Sequence, residues 1–318
     1  MAIDYDQLRS TLIYRADASA EVLMDDLASL QSFDAENEAL AAKGGRNGCL
    51  GGLLTIAGAA IGVFVSAALV DQPVLVGSAT VFLIPVGAVI AIVGLVLWFK
   101  GYALMSKHGR LDLPDERYLL VQQLLMLLQA DVGKDETFAV KIDFNPHNGK
   151  DSFERNGKAG YWKVKYYTHQ WLEVHGRFVD GVKFSLTTFE KQQDRSRTKR
   201  SASGKIKHKS KVKRAGGATL RMRFKSKRFP TFNEVSQLFQ QSVRVPGAQL
   251  KGVRVGDEEV RLSLKFGADG WSSSNAPEPT LGLSLVSKGD VDQKVRGRVD
   301  QLAAMFLSCY RVLNKAAK

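Results

Sequence analysis

Charge is scarce over one long stretch of this chain: residues 50–99 carry a single charged side chain, Asp71. Acid is equally scarce over residues 191–228, where Asp194 stands alone against sixteen Lys and Arg. Elsewhere 29 cations meet 31 acids, so the net charge of +13 resides in that basic stretch. Cysteine is nearly missing, with Cys49 and Cys309 the two in 318 residues. Two thiols are too few for a disulfide framework, which excludes a small disulfide-knit secreted domain. The mean hydropathy of −0.13 looks ordinary only because an uncharged region and a basic one average out. A plain soluble globule and a uniformly basic nucleic-acid coat are both excluded.

Catalytic signatures are also lacking. No P-loop, GxSxG or dinucleotide fingerprint occurs. The five histidines, His108, His147, His169, His175 and His208, show no metal-binding spacing. His169 and His175 flank strand residues and read as surface or satisfied histidines. Asp143, Asn145, His147 and Glu154 occupy positions one, three, five and twelve of an EF-hand count. However, Asn148 stands where glycine is required and Pro146 intrudes, so a turn-rich connection is expected rather than a calcium site. No cofactor and no metal are expected, and no enzyme class is indicated, although a site assembled across a fold leaves no linear motif.

What is present begins with two uncharged runs, residues 50–70 and 74–99. At about 1.5 Å per residue each is long enough for a hydrocarbon core of about 30 Å. The short link Asp71-Gln72-Pro73 makes them an antiparallel hairpin. It carries no cation, whereas Lys43 and Arg46 precede the first span and Lys100, Lys107 and Arg110 follow the second. The positive-inside bias therefore places both termini in the cytoplasm, in a multi-pass protein of the bacterial inner membrane. The polar, acidic residues before the first span do not read as a cleavable signal. Gly58 and Gly62, with Gly87, Ala91 and Gly94, present small side chains for close helix packing, either between the two spans or between copies of the chain. Pro85 is expected to kink the second span. No ionisable group lies inside either span, which disfavours transport by one hairpin; Thr55, Ser66, Ser78 and Thr80 are available to line a pore built from many copies.

The remainder reads as an α+β arrangement in three parts. Residues 1–48 form an N-terminal amphipathic helical region, broken at Gly44-Gly45-Arg46-Asn47-Gly48; 49–100 form the hairpin; 101–318 form a cytoplasmic domain with an antiparallel sheet and flanking helices. Helices are expected from about 114 to 133, 231 to 243 and 290 to 315. Strands are expected from Phe138 to Phe144, around Trp162–Tyr166, and at about 259–266 and 280–286. A hairpin is expected over 172–190, with Asp180-Gly181 in a type I′ turn.

The basic stretch alternates. Lys205, Lys207, Lys209, Lys211 and Lys213 repeat every second residue, as do Arg221, Arg223, Lys225 and Lys227. Two strands joined at Gly216-Gly217 would project all nine cations from one face, with Lys163 and Lys165 extending it. A solvated loop serving solubility is the plain alternative. The leading functional expectation is a non-catalytic, membrane-anchored scaffold or adaptor whose basic face engages anionic lipid headgroups. A membrane-located nucleic-acid-binding module, an oligomeric pore-forming subunit and an acidic protein partner are the alternatives.

Overall fold

The computed structural model describes residues 3–71, 77–133, 136–200, 204–229, 232–235, 243, 245–266 and 288–316. The chain forms two compact units, Met1–Ala28 with Pro114–Lys318, and Ser29–Leu113.

The first unit is built on eight antiparallel strands: β1 (Ile13–Ala18), β2 (Phe138–Asp143), β3 (Phe153–Ala159), β4 (Trp162–Arg177), β5 (Lys183–Arg200), β6 (Ile206–Arg223), β7 (Ala248–Gly256) and β8 (Glu259–Phe266). Their order is β1-β2-β4-β5-β6-β8-β7, with β3 paired beside β2 on the edge of the long β4. The expected strands at 138–144 and 259–266 are present. The one expected at 280–286, and most of the helix expected at 231–243, lie outside the described residues.

Alternation sorts the sheet into two faces. Phe184, Leu186, Ala218, Leu220 and Met222 share one face with Val260, Leu262, Leu264 and Phe266, all buried. Helices α4 (Asp115–Leu128) and α6 (Lys288–Ala316) supply the matching apolar stripes; the short helix between them, α5, is Phe232–Val235. Leu120, Val121, Leu124 and Leu125 of α4 are buried, as are Val295, Val299, Leu302 and Phe306 of α6. Phe306 meets Phe184 edge-on at 5.3 Å between centroids, which seats α6 on the sheet.

Several expectations need correction. Residues 13–18 are a strand, not part of a helical region, because β1 pairs along β2 and buries Tyr14; α1 (Tyr5–Thr11) precedes it. The 172–190 hairpin forms, but Asp180 does not take the left-handed conformation that a type I′ turn needs; of the two turn residues, Gly181 alone has positive φ. The side chain of Asp180 instead accepts the Val182 N–H at 2.9 Å. Gly216 and Gly217 make no turn. They lie inside the 18-residue strand β6, where Gly217 stands opposite Phe189. A Cβ there would meet Phe189 Cε2 at 2.9 Å, so the missing side chain makes room for a ring across the strand pair.

The second unit holds most of α2 (Ala20–Asp71) and all of α3 (Gly77–Gly109). Helix α2 runs through residues 44–48 without a break. Its glycines are explained by what faces them. Cβ atoms built on Gly44 and Gly51 would meet the carbonyl oxygens of Gly101 and Gly94 at 2.9 and 2.6 Å, and one on Gly58 would meet that of Gly87 at 2.5 Å. Both glycine sets repeat every seven residues, the spacing that keeps one seam facing the partner helix. The same register continues at Asn37, whose Oδ1 contacts His108 Nδ1 at 2.8 Å. Ala91 lines this seam against Gly58, whereas a Cβ on Gly62 meets nothing within 4 Å. Pro85 lies inside α3.

Candidate anion-binding surfaces and a buried ion cluster

Strand pairing decides where the cations go. Antiparallel partners share a face, and in β5–β6 Lys207 lies opposite Lys199, Lys209 opposite Arg197, and Lys211 opposite Arg195. Three consecutive same-face positions thus set cation against cation, and Lys213 follows opposite Gln193. Like charges directly opposed destabilise a strand pair by roughly 0.2–1 kcal/mol each. Lys207–Lys213 are all exposed, so solvent and salt screen part of that repulsion. The other face of the same ribbon is close to neutral, with Ser196 opposite Ser210, and Thr198 Oγ1 3.1 Å from His208 Nδ1.

The nine cations singled out from the sequence are not one patch. Lys207, Lys209, Lys211 and Lys213 line the distal half of β6, and Lys205 immediately precedes it. Arg221 and Arg223 share their face but lie near the opposite end of the strand, beyond Ala215, Gly217 and Thr219. There both pair with Glu259 of β8, Arg223 at 3.2 Å. Chiefly through the hydrogen bond from Arg221, this arrangement holds the Glu259 carboxyl below its ordinary range. Lys225 and Lys227 follow the strand and are exposed.

Lys163 and Lys165 do not extend the ribbon face. They stand opposite Ser196 and Asp194, even-numbered positions of β5, whereas Lys207–Lys213 oppose odd-numbered ones. Their side chains therefore project to the other side of the sheet. There they line a groove of about 1130 Å³ with Lys158, Tyr167, Gln192 and Arg214.

Between this groove and the apolar core lies a buried cluster of which linear spacing marked only Asp143 and His147. Asp143 comes from β2, His147 from the connection after it, His169 from β4, Glu190 from β5 and Arg117 from the first turn of α4. Glu190 is fully buried, and Arg117 and His169 are 5% exposed. The contacts run in a line: Asp143 Oδ2 to His169 Nε2 at 3.1 Å, His169 Nδ1 to His147 Nδ1 at 3.2 Å, and His147 Nε2 to Glu190 Oε2 at 2.9 Å. The approaches at the carboxylate ends are oblique: among the described residues neither Glu190 oxygen, nor His169 Nε2, has a well-aligned hydrogen bond. These ends are therefore close polar contacts between imidazole and carboxylate. Arg117 spans the connection after β2, donating to the carbonyls of Asp143 and Asn145, with Nη2 3.2 Å from His147 Nε2.

The electrostatics follow from burial. Desolvation pulls Arg117 down to about 10, against the opposing pull of Glu190 and Asp143. Burial also lowers the His147 pKa, with Glu190 opposing and Arg117 and His169 assisting. For Asp143, burial pushes upward, but the close approach of His169 and the hydrogen bonds from Asn145 outweigh it and leave the carboxyl below its usual range. Glu190 is linked outward as well, since Arg214 Nε lies 3.9 Å from Oε1 and donates to Gln192 Oε1 at 2.9 Å.

The residues that suggested an EF-hand count thus split. Asp143, Asn145 and His147 come together, while Glu154 sits on β3. Asp143 accepts the Asn145 N–H at 2.9 Å, closing the turn. Among the described residues no group of three or more His, Cys, Asp or Glu is arranged to hold a metal ion. Cys309 is buried, which raises its thiol to about 12 and leaves it inert at neutral pH, while Cys49 is exposed. Comparison with protein-family models, curated proteins and solved structures finds no match to this chain.

Proposed function

We propose that the chain is a non-catalytic, membrane-anchored scaffold or adaptor that engages anionic lipid headgroups through the β5–β6 ribbon. The observation that carries this reading is the opposed cation series Lys199–Lys207, Arg197–Lys209 and Arg195–Lys211. A strand pair built this way is strained by its own charge until an anionic surface supplies counter-charge.

The anchor rests on α2 and α3. Each is long and apolar enough to cross a membrane, and only 11% and 17% of their most apolar windows are buried. The core helix of a soluble protein would bury that surface, whereas here Ile56, Val63, Phe64, Val89 and Ile92 are exposed. A lipid environment accounts for apolar side chains pointing outward around a glycine seam. The cation distribution around the hairpin favours both termini in the cytoplasm of a bacterial inner-membrane protein.

The test uses the full chain in zwitterionic nanodiscs, mixed with phosphatidylglycerol or phosphatidylcholine vesicles and separated by flotation. Selective retention on the anionic vesicles is expected. The triple variant K199Q/K207Q/K209Q should weaken retention on the order of 100-fold, at about 1 kcal/mol for each cation near the surface. Unchanged retention of that variant would overturn the reading. Stronger capture by an oligonucleotide than by vesicles, in direct competition, would favour the nucleic-acid alternative instead.

A further inference from the structure

The sheet has a second cationic surface, on the face away from the opposed ribbon pairs. Its groove is lined by Lys158, Lys163, Lys165 and Arg214, and the one acid among its described lining residues is Asp194. Arg195 and Lys211 border it as well. Asp194 offsets one charge of this set and leaves the groove with a cationic excess. It lies opposite Lys165, and its Oδ1 accepts a hydrogen bond from Gln192 Nε2 at 2.8 Å.

The placement of the cations is specific. Lys158 stands directly opposite Lys163 in the β3–β4 pair, another like-charge juxtaposition. Lys163 and Lys165 follow each other on one face, roughly 7 Å apart along the strand. Arg214 approaches from β6 on the far wall, where Gln192 and the buried Glu190 hold its guanidinium. Positive charge therefore meets the groove from both walls. Amides of Asn148, Asn156 and Gln192 stand between as neutral hydrogen-bonding groups.

We propose that this groove binds a soluble molecule bearing consecutive phosphate groups. A single phosphate would engage one wall, whereas a chain of phosphates matches the Lys163–Lys165 spacing and reaches Arg214. A guanidinium fixed by side-chain contacts suits phosphate oxygens, and lysines serve as point charges beside it. The volume lies just above the usual range for small-ligand sites, about 300–1,000 Å³. The groove meets the surface assigned to lipid headgroups only at Arg195 and Lys211; Lys199, Lys207 and Lys209 do not line it.

The experiment is calorimetric titration of the full chain, in zwitterionic nanodiscs, with inorganic tripolyphosphate and with inorganic monophosphate. Saturable binding of tripolyphosphate, tighter than monophosphate, is expected. K163Q/K165Q should weaken it by about tenfold or more, the usual cost of losing charge-assisted contacts. Because both lysines are on the surface, the variant should keep its fold and its retention on anionic vesicles. The ribbon variant K199Q/K207Q/K209Q should bind tripolyphosphate within about threefold of the parent, a residual long-range effect of screened charge. Equal affinity for the two phosphates, or loss in the ribbon variant with none in the groove variant, would overturn the proposal. Absence of tripolyphosphate binding alongside intact vesicle retention would remove this inference and leave the lipid reading standing.

Discussion

The α2–α3 pair and the β5–β6 ribbon are both long antiparallel hairpins whose facing residues repeat in strict register. They resolve that register in opposite ways. Along the helices, glycine faces glycine at three successive heptads, Gly44–Gly101, Gly51–Gly94 and Gly58–Gly87, so backbone lies against backbone. Along the distal ribbon, cation faces cation at three successive same-face positions. The first pairing is complete in itself, because close approach supplies dispersion contacts with no charge to satisfy. The second keeps its hydrogen-bonded ladder but carries an electrostatic debt. A repeated register can thus mark a finished interface or an unfinished one, and the chemistry of the facing pair distinguishes them.

The comparison is most easily broken at the root of the ribbon, where β5 passes from the core to solvent. Glu190→Ala would remove the largest counter-charge acting on the buried Arg117 and should cost roughly 3–5 kcal/mol, read by chemical denaturation of the full chain. An unchanged midpoint would mean the cluster does not hold the ribbon's base. Next in size, Gly94→Ala places a Cβ 2.5 Å from the Thr55 backbone nitrogen, so the helices must separate. A loss of about 1–3 kcal/mol is expected, measured as a lowered melting temperature in detergent, with Gly62→Ala as the control that changes little. The ribbon should respond with the opposite sign. K199Q/K207Q/K209Q should raise stability by about 1 kcal/mol in low salt, and the gain should shrink as salt is added. A loss of stability would show that those side chains stabilise the ribbon in isolation.

A graded effect should come from pH. The His147 pKa is depressed in the folded chain, so below about 6.5 the unfolded chain takes up a proton that the folded one refuses. Stability should therefore fall as pH drops through that value. Asp143 is held below its ordinary range, so its contribution is present above about 3.9 and is lost on further acidification through its folded pKa. Denaturation midpoints across pH 8 to 3 check both. His147→Asn should remove the upper component and keep the lower one.

Much of the fold could be read from pattern, and the exceptions have physical causes. Alternation of buried residues announced β2, β4, β5 and β8. Strands β3 and β7 lack it because most of their side chains are exposed. The glycines at 44–48 look like a helix break, and Gly216-Gly217 look like a turn. In both places the missing side chain admits a neighbour, the α3 backbone in one and the Phe189 ring in the other. The cationic ribbon was visible as an alternation, but its face depends on pairing. A register shift beside Trp171, between Gln170 and Leu172, is one of the features that set which positions of β4 face which positions of β5. Of the cluster of Arg117, Asp143, His147, His169 and Glu190, only Asp143 and His147 stood out together in the sequence, and as part of a calcium-loop count; the other members come from separate elements with no shared spacing.

The unequal lengths of the central strands have a further consequence. Strand β8 pairs with β6 only over Gly217–Arg223, so among the described residues no strand pairs with the outer edge of the distal part of β6. An open edge of that length is a template for strand addition by another copy, and exposed Ile206 and Val212 would favour such contact. The row of lysines keeps two such edges apart by repulsion. The charge that burdens the ribbon therefore also guards it against aggregation, and neutralising it should exchange a small gain in stability for a concentration-dependent loss of solubility.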